Sequence, residues 1–324
     1  DNNINLNYPL IGAAGYSGLM VWHGGISGSI PLKISEKHHL SMIASKIQNH
    51  EYLLDKLPAD GINFTSTIFS EMNLTVSLLL LTCIPIMLFY IGKKQPNGKL
   101  IKFKKEKKKE NKQKINWGAE KIDYSNWFSK FIGWGILFVA IQKVLQADSI
   151  SFINPNFVNL SLFGLAIFLH DNFNNFLIAV NKAITSASGI LIQFPLYFGI
   201  MGIMTSSGLV DLFSDFFVHI SNKTTYPIFT MLSGGLVNIF VPSGGGQWAV
   251  QGPIVLQSAV DVGVSIPKSI MALAYGDQLT NMLQPFWALP LLGITKLNAK
   301  DILPYTLLIM LLGIIIFSTC LIIF

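Results

Sequence analysis

Three consecutive glycines stand between two apolar runs in the second half of the chain, within Val-Pro-Ser-Gly-Gly-Gly-Gln-Trp at residues 241–248. The flanking runs cover residues 226–240 and 249–264. A soluble domain has little use for such a break. In a membrane protein, an unwound segment at membrane depth can offer backbone N–H and carbonyl groups to a solute. The pattern predicts the tip of a re-entrant hairpin that forms part of a substrate-binding site.

The composition is that of an α-helical membrane protein. Of the 324 residues, 51% are hydrophobic and only 12% are charged, whereas a soluble domain carries about a quarter charged residues. Several apolar runs approach the ~20 residues that cross a bilayer as a helix. We therefore predict an all-α, polytopic membrane protein.

The apolar runs also predict the order of the helices. Residues 174–184 predict a short interfacial helix, and residues 209–221 predict a helix on the outer surface. Spanning helices are predicted at residues 74–91, 131–145, 157–169, 190–204 and 301–324.

Two further apolar segments, residues 8–32 and 275–292, are interrupted by glycine or proline and by polar residues. Broken helices in corresponding places of two halves point to a binding site between inverted repeats. We predict residues 1–91 as the remainder of a first repeat and residues 131–324 as the second. Because only the second half has a glycine hairpin before its broken helix, we expect a partner hairpin upstream of Asp1.

The positive charge is concentrated in one loop between the predicted repeats. More than half of the 23 basic residues fall within residues 92–130, and all 23 are lysines. Basic loops between spanning helices stay in the cytoplasm, so this loop is predicted to be cytoplasmic and to contact anionic lipid headgroups. A nucleic-acid patch is the alternative, and we expect no nucleic-acid partner.

The absence of arginine limits how an anion can be bound. No guanidinium group is available to hold a carboxylate through two parallel hydrogen bonds. If the solute is a carboxylate, helix N-termini and backbone N–H groups have to supply its donors.

The glycine break carries the first group of predicted substrate contacts. Glycine lets the backbone approach a ligand closely, and the N–H groups at the start of the next helix favour an anion. The alternative is tight helix packing through small residues, but three glycines flanked by polar residues exceed what packing requires. These candidates are Ser243, Gly244, Gly245, Gly246, Gln247 and Gln251.

His23, Ser27 and Ser29 lie in the interruption of the first broken segment, and we predict that they contact the solute. The preceding His-Gly-Gly sequence superficially resembles the oxyanion loop of lipases. The nucleophile-elbow pattern fails, however, because Ser29 stands where a glycine is needed. No catalytic residue is predicted, and an enzyme is not favoured.

Asp277 lies in the middle of the second broken segment, where an unpaired carboxylate is costly and must face a cavity or a partner. It could bind Na⁺, carry a proton, or hold the structure through hydrogen bonds. Polar neighbours at helical spacing make part of the same face polar. The candidates added here are Gln278, Thr280, Asn281 and Gln284.

No metal site and no organic cofactor are predicted. Cys83 and Cys320 lie in apolar segments far apart in the sequence, so neither a disulfide framework nor a metal site follows. His170 and Asp171 could form a proton relay, but we favour a role in capping the inner end of a span. The expected coupling ion is H⁺ or Na⁺.

Four motifs resemble the short-chain fatty acid transporter family, which is related to the ion transporter superfamily. The resemblance covers essentially the whole chain, and the motifs occur in the same order. They are VWHGGISGSIPLK at residues 21–33, ASGILIQFP at 187–195, VPSGGGQWAVQGP at 241–253 and YGDQLTNMLQPFW at 275–287.

The resemblance implies a carrier of small monocarboxylates, such as acetoacetate and butyrate, in the inner membrane. It also implies inverted repeats with two re-entrant hairpins, in a superfamily whose carriers often move one repeat as an elevator. A dicarboxylate or other organic-anion carrier, and a truncated remnant that does not transport, are the alternatives. The expected partners are the substrate and the lipid bilayer, and assembly with identical chains is left open.

Overall fold

The computed structural model describes residues 7–47, 51–94, 118–147, 152 and 155–324. Throughout these ranges the regular structure is helical, without a β-strand, which confirms the all-α prediction. The α-helices are α1 (Tyr8–Tyr16), α2 (Ser29–Ile34), α3 (His39–Ala44), α4 (Glu51–Leu54), α5 (Glu71–Lys94), α6 (Glu120–Asp123), α7 (Asn126–Leu145), α8 (Pro155–Leu169), α9 (Phe173–Ser206), α10 (Leu209–His219), α11 (Tyr226–Phe240), α12 (Gly244–Val262), α13 (Ile266–Thr280), α14 (Pro285–Thr295) and α15 (Ala299–Ile323).

Three of these helices, α5, α7 and α15, are long and apolar enough to cross a membrane. The pair Pro195–Ser206 and α10, bent by 61°, would be a fourth span among the described residues if it is counted as one. Helices α8 and α11 are apolar but shorter. The chain is therefore a multi-pass membrane protein, as its composition predicts.

The separate helices predicted at residues 174–184 and 190–204 are wrong, because both lie in the single 34-residue helix α9. The small polar residues between them indicated a break. Serine and alanine are tolerated inside a helix, however, and propensity alone does not end one. The helix ends at Ser206 instead, and Gly208 adopts a left-handed φ of 73° before α10 begins.

The chain divides into two compact units, one formed by Asp1–Ile101 with Gly189–Phe324 and the other by Lys102–Ser188. In the second unit α7 packs closely on α8, where the Ser129 hydroxyl donates to the Ile167 carbonyl at 3.3 Å. All the predicted substrate contacts lie in the first unit. The most lysine-rich stretch, residues 102–109, lies outside the described residues, and the repeat boundaries stay a prediction.

The predicted hairpin is present as helices α11 and α12, but its unwound segment is residues 241–243 rather than the glycines. Gly244 already begins α12, because the Ser243 hydroxyl accepts the Gly246 N–H at 3.2 Å and acts as the N-cap. A serine N-cap satisfies one of the N–H groups that a helix start leaves unpaired. The glycines therefore form the first turn of α12.

Both predicted broken helices are also present. In the first, α1 continues into a 3₁₀ turn at Ser17–Val21, and α2 begins at Ser29. In the second, a 3₁₀ turn at Asn281–Leu283 separates α13 from α14. The glycines of the first segment and Pro285 in the second indicated these breaks. The interruption predicted at Gly276 and Asp277 is wrong, because both residues lie inside α13.

Helix α13 lies at the centre of the first unit. Its Tyr275 ring stacks on Phe317 of α15 with ring centroids 4.6 Å apart. On its other side, Gly276 faces Gly235 of α11 so closely that a Cβ on Gly276 would lie 2.7 Å from the Gly235 nitrogen. Small residues let two helices approach in this way inside a membrane. This crossing holds the first arm of the hairpin against the second broken helix.

Candidate functional site

The tip of the hairpin meets the interruption of the first broken helix. A Cβ built on Gly244 would lie 2.5 Å from the Ser29 hydroxyl and 2.8 Å from Nε2 of His23. Any side chain at residue 244 would displace one of these groups. Two sequence motifs more than two hundred residues apart are therefore in direct contact, and glycine is required for that contact.

His23 connects this contact to the second broken helix. Its Nε2 lies 3.0 Å from Oδ1 of Asp277, and its backbone N–H donates to Oε1 of Gln278 at 2.8 Å. The side chains of His23 and Asp277 are 0% and 1% exposed. Asp277 thus has a buried partner of potentially opposite charge, which the sequence, lacking a lysine nearby, did not indicate.

Two residues that the sequence analysis did not select hold the second break in place. The Tyr16 hydroxyl donates to the carbonyls of Asn281 and Gln284 at 2.7 and 2.9 Å. The Asn238 amide donates to the Asp277 carbonyl at 2.7 Å and lies 2.9 Å from Oδ1 of Asn281. An amide inside the apolar run of α11, close to the tip, was the available signal for Asn238.

The side chains around this meeting point keep polar atoms that no described group satisfies. Donors such as Nε2 of Gln278 and Nδ2 of Asn281 occur beside acceptors. Buried polar atoms without a partner are few in folded proteins and each is costly, so a cluster of them has hydrogen-bonding capacity for a polar ligand. The atoms are His23 Nδ1, Ser29 Oγ, Asn238 Oδ1, Gln247 Oε1, Asp277 Oδ2, Gln278 Nε2, Asn281 Nδ2 and Gln284 Oε1.

The two glutamines of α12 mainly join helices. Gln247 donates to the Gly234 carbonyl and to Oε1 of Gln251, both at 2.7 Å. The Gln251 amide donates to Ser214 of α10 at 2.9 Å and to Ser233 of α11 at 3.1 Å. Gln251 is therefore buried because it joins helices, without a need for a ligand. Gln247 keeps one unpartnered side-chain oxygen, Oε1.

The remaining predicted contacts lie in different surroundings. Ser27 is exposed, and its carbonyl accepts from the Trp22 indole at 3.0 Å. The Thr280 hydroxyl donates to the Gly235 carbonyl at 3.0 Å. A Cβ on Gly245 would meet no heavy atom within 4 Å, so the first turn of α12 faces open space there. Gly246 packs near Met201, whose sulfur would lie 3.3 Å from an added Cβ.

Two residues that follow the first broken helix in the sequence, His39 and Lys46, donate or accept hydrogen bonds that hold α12. Nε2 of His39 accepts the Trp248 indole N–H at 3.0 Å, and Nζ of Lys46 donates to the Ala249 carbonyl at 3.0 Å. That carbonyl lacks its usual helical partner because Pro253, four residues on, has no N–H. Lys46 therefore satisfies an acceptor that the proline leaves free.

His39 accepts this bond only in its neutral form, and its surroundings favour that form. Burial lowers the pKa of His39 below its usual value. The charges of Lys33 and Lys46 lower it further, while Glu36 opposes them. The neutral ring is therefore the form that holds Trp248.

The cluster has one ionisable pair. Among the described residues, no three His, Cys, Asp or Glu side chains are arranged to hold a metal ion. Asp277 and His23 are the ionisable side chains that the cluster brings together. The arrangement can supply donors, acceptors and one titratable pair to a small polar solute.

Comparisons with known proteins agree along nearly the whole chain. A family model described as short chain fatty acid transporter matches residues 2–324. A protein of Haemophilus influenzae is 34% identical over 307 residues, covering 92% of this chain and 66% of that protein. A protein of Escherichia coli is 35% identical over 316 residues, covering 96% of this chain and 68% of that protein. Both are provisionally named short-chain fatty acid transporters.

The chain thus spans about two thirds of the length of these relatives. No solved structure matches it.

Proposed function

Because the chain belongs to the short chain fatty acid transporter family, we propose that it carries short-chain monocarboxylates across the inner membrane. Butyrate and acetoacetate are the substrate type that we expect. Transport is coupled to a cation, H⁺ or Na⁺, and the lysine-rich loop faces the cytoplasm. The chemistry is transport without bond breakage, in keeping with a site that has one ionisable pair.

The observation that carries the proposal is the first turn of α12 in contact with His23, together with the unpartnered donors of the cluster around the His23–Asp277 pair. The first N–H groups of a helix have no intrahelical partner, and its N-terminus carries about half a positive charge. Gly244 and Gly245 supply these groups, and Gln278 and Asn281 add free amide nitrogens. A carboxylate needs several such donors, and this site supplies them without arginine.

The test is counterflow of labelled butyrate in proteoliposomes that are loaded with unlabelled butyrate. Protein-free vesicles are subtracted, because the undissociated acid crosses lipid by itself. We expect saturable exchange that unlabelled acetoacetate inhibits. Exchange no faster than in protein-free vesicles would refute the proposal.

Gly245→Val tests the place of the site. An added Cβ would meet no heavy atom within 4 Å, and we expect the branched side chain to hinder access of a carboxylate to the N–H groups of the first turn. A hydrogen bond to a charged group contributes about 1.5–3 kcal/mol, so exchange should weaken about tenfold or more. Gly135→Val is the matched control, because Gly135 of α7 also has open space at its Cβ. If both variants exchange butyrate equally fast, the first turn of α12 is not part of the binding site.

A further inference from the structure

The His23–Asp277 pair has two features that matter for an anion carrier. It is fully buried, and each member keeps one unpartnered atom, Nδ1 of His23 and Oδ2 of Asp277. Each side chain can therefore gain a proton or a hydrogen bond on its free atom while the contact between Nε2 and Oδ1 is kept.

Few other titratable groups face this pair. From the surrounding elements, the hydroxyl of Tyr16 reaches the second break and the hydroxyl of Tyr275 donates to Asn73 of α5. The charged side chains of α2 and of the start of α5, Lys33 and Glu71, are exposed. Within the described part of the chain, the net charge of the cluster therefore depends on His23 and Asp277.

A charge balance follows from this arrangement. We take the pair to be neutral overall without substrate, because an unbalanced charge is costly when it is buried. Imidazolium with carboxylate and imidazole with carboxylic acid both meet this condition. A bound carboxylate would bring the buried cluster to a net charge of minus one, which costs several kcal/mol away from water. Uptake of one proton gives imidazolium, carboxylic acid and substrate carboxylate, whose charges again sum to zero.

We infer that the His23–Asp277 pair binds the proton that accompanies each carboxylate, so that the loaded site is neutral and monocarboxylates are preferred. The inference rests on the proposed transport function and specifies its coupling ion. We argue for a proton rather than Na⁺ because His23 and Asp277 each keep a free atom that can bind a proton. The cluster also contains unpartnered oxygens that could bind Na⁺, so dependence of butyrate binding on Na⁺ is the competing outcome of the test. A dicarboxylate would leave one negative charge unbalanced after the same proton is taken up.

Accumulation of butyrate under a pH gradient cannot test this stoichiometry. Transport of one carboxylate with one proton gives the same final ratio as passage of the undissociated acid through lipid. The diagnostic quantity is proton uptake on binding. Sodium butyrate is added to the detergent-solubilised protein in weakly buffered solution at about pH 7.5, where free carboxylates are ionised, and a pH-indicator dye reports the protons.

Tryptophan fluorescence measures binding in the same sample, since the Trp22 ring centroid lies 4.2 Å from that of His23. We expect about one proton taken up per butyrate bound, independent of Na⁺. Succinate should bind about tenfold more weakly or worse. Butyrate binding without proton uptake, or only with Na⁺, would overturn the inference and leave the proposed function standing. No saturable butyrate binding would overturn the proposed function itself.

The variant His23→Gln/Asp277→Asn keeps hydrogen-bonding groups of similar size but cannot titrate. Its proton uptake should fall from about one to about zero per butyrate bound. The control His170→Gln/Asp171→Asn makes the same chemical changes outside the cluster and should keep the full uptake. Unchanged uptake in the first variant would overturn the inference; if that variant fails to fold, the proton count of the unaltered protein still decides.

Discussion

Substitution of Gly276 by alanine should separate the hairpin from the second broken helix. The added Cβ would lie 2.7 Å from the Gly235 nitrogen and well inside contact distance of the Met231 carbonyl oxygen. Both atoms belong to the backbone of α11, so no side chain can move aside. Since carbon contacts are favourable near 3.5–4.0 Å, α11 and α13 must move apart by about 1 Å.

The energetic effect can be estimated from the contacts that cross this interface. Overpacking of a tight core costs about 1–3 kcal/mol. The separation also lengthens the bond from Asn238 to the Asp277 carbonyl, now 2.7 Å, and the loss of a buried hydrogen bond adds about 1–3 kcal/mol. We expect the free energy of unfolding to fall by about 2–6 kcal/mol, together with strongly reduced exchange of butyrate.

A graded series of alanine variants measures this effect by thermal unfolding in detergent. Gly276→Ala should be the least stable. Gly235→Ala should be milder, because the nearest atom to its Cβ would be the Thr280 methyl at 3.0 Å rather than a backbone atom at a shorter distance. Gly202→Ala, with open space at its Cβ, should be neutral or stabilising. If Gly276→Ala unfolds at the same temperature as Gly202→Ala and exchanges butyrate normally, the close crossing is refuted.

Two further predictions concern the support of α12. Lys46→Met should lower the free energy of unfolding by about 0.5–1.5 kcal/mol. Pro253→Ala should cancel that loss, because it gives the Ala249 carbonyl a helical N–H. Additive losses in a double-mutant cycle would contradict the hydrogen bond from Lys46 to Ala249. Because the pKa of His39 is lowered in the folded protein, the unfolded chain binds the proton more readily, so stability is complete above about pH 6.5 and falls as the pH drops below it. His39→Gln should lose less stability than the unaltered protein between pH 7.5 and 5.5. An equal loss of stability in the two proteins would show that the bond from Trp248 to His39 is not responsible.

Much of the helical arrangement follows from local sequence. Apolar runs of sufficient length indicated α5, α7 and α15, and the predicted arm at residues 226–240 coincides with α11. Glycines indicated the first break and Pro285 the second, because these residues either permit or force a departure from the helix. Gly276 was a false signal, since it lies inside α13. The position of the tip was wrong by one turn, since the capping ability of Ser243 was read only as a ligand contact.

The site itself depends on contacts that local sequence does not encode. The pairing of His23 with Asp277 joins residues 254 positions apart, and Tyr16 reaches Asn281 across a similar distance along the chain. Neither residue carries a local signal for its partner. In contrast, the sequence was sufficient to predict that each break is polar and has buried partners, because polar residues in apolar segments are costly unless they meet a partner.

The contact of Gly244 with His23 relates anion binding to proton binding. The positive end of α12 attracts an anion but repels an imidazolium at the same place. A bound carboxylate reverses that repulsion, so each ligand strengthens the binding of the other, and this coupling is reciprocal. An arginine in place of the pair would hold the anion equally well, yet it would leave a permanent buried charge whenever the site is empty. In the proposed proton-coupled transport the site returns empty, and a pair that has no net charge without substrate would permit this return.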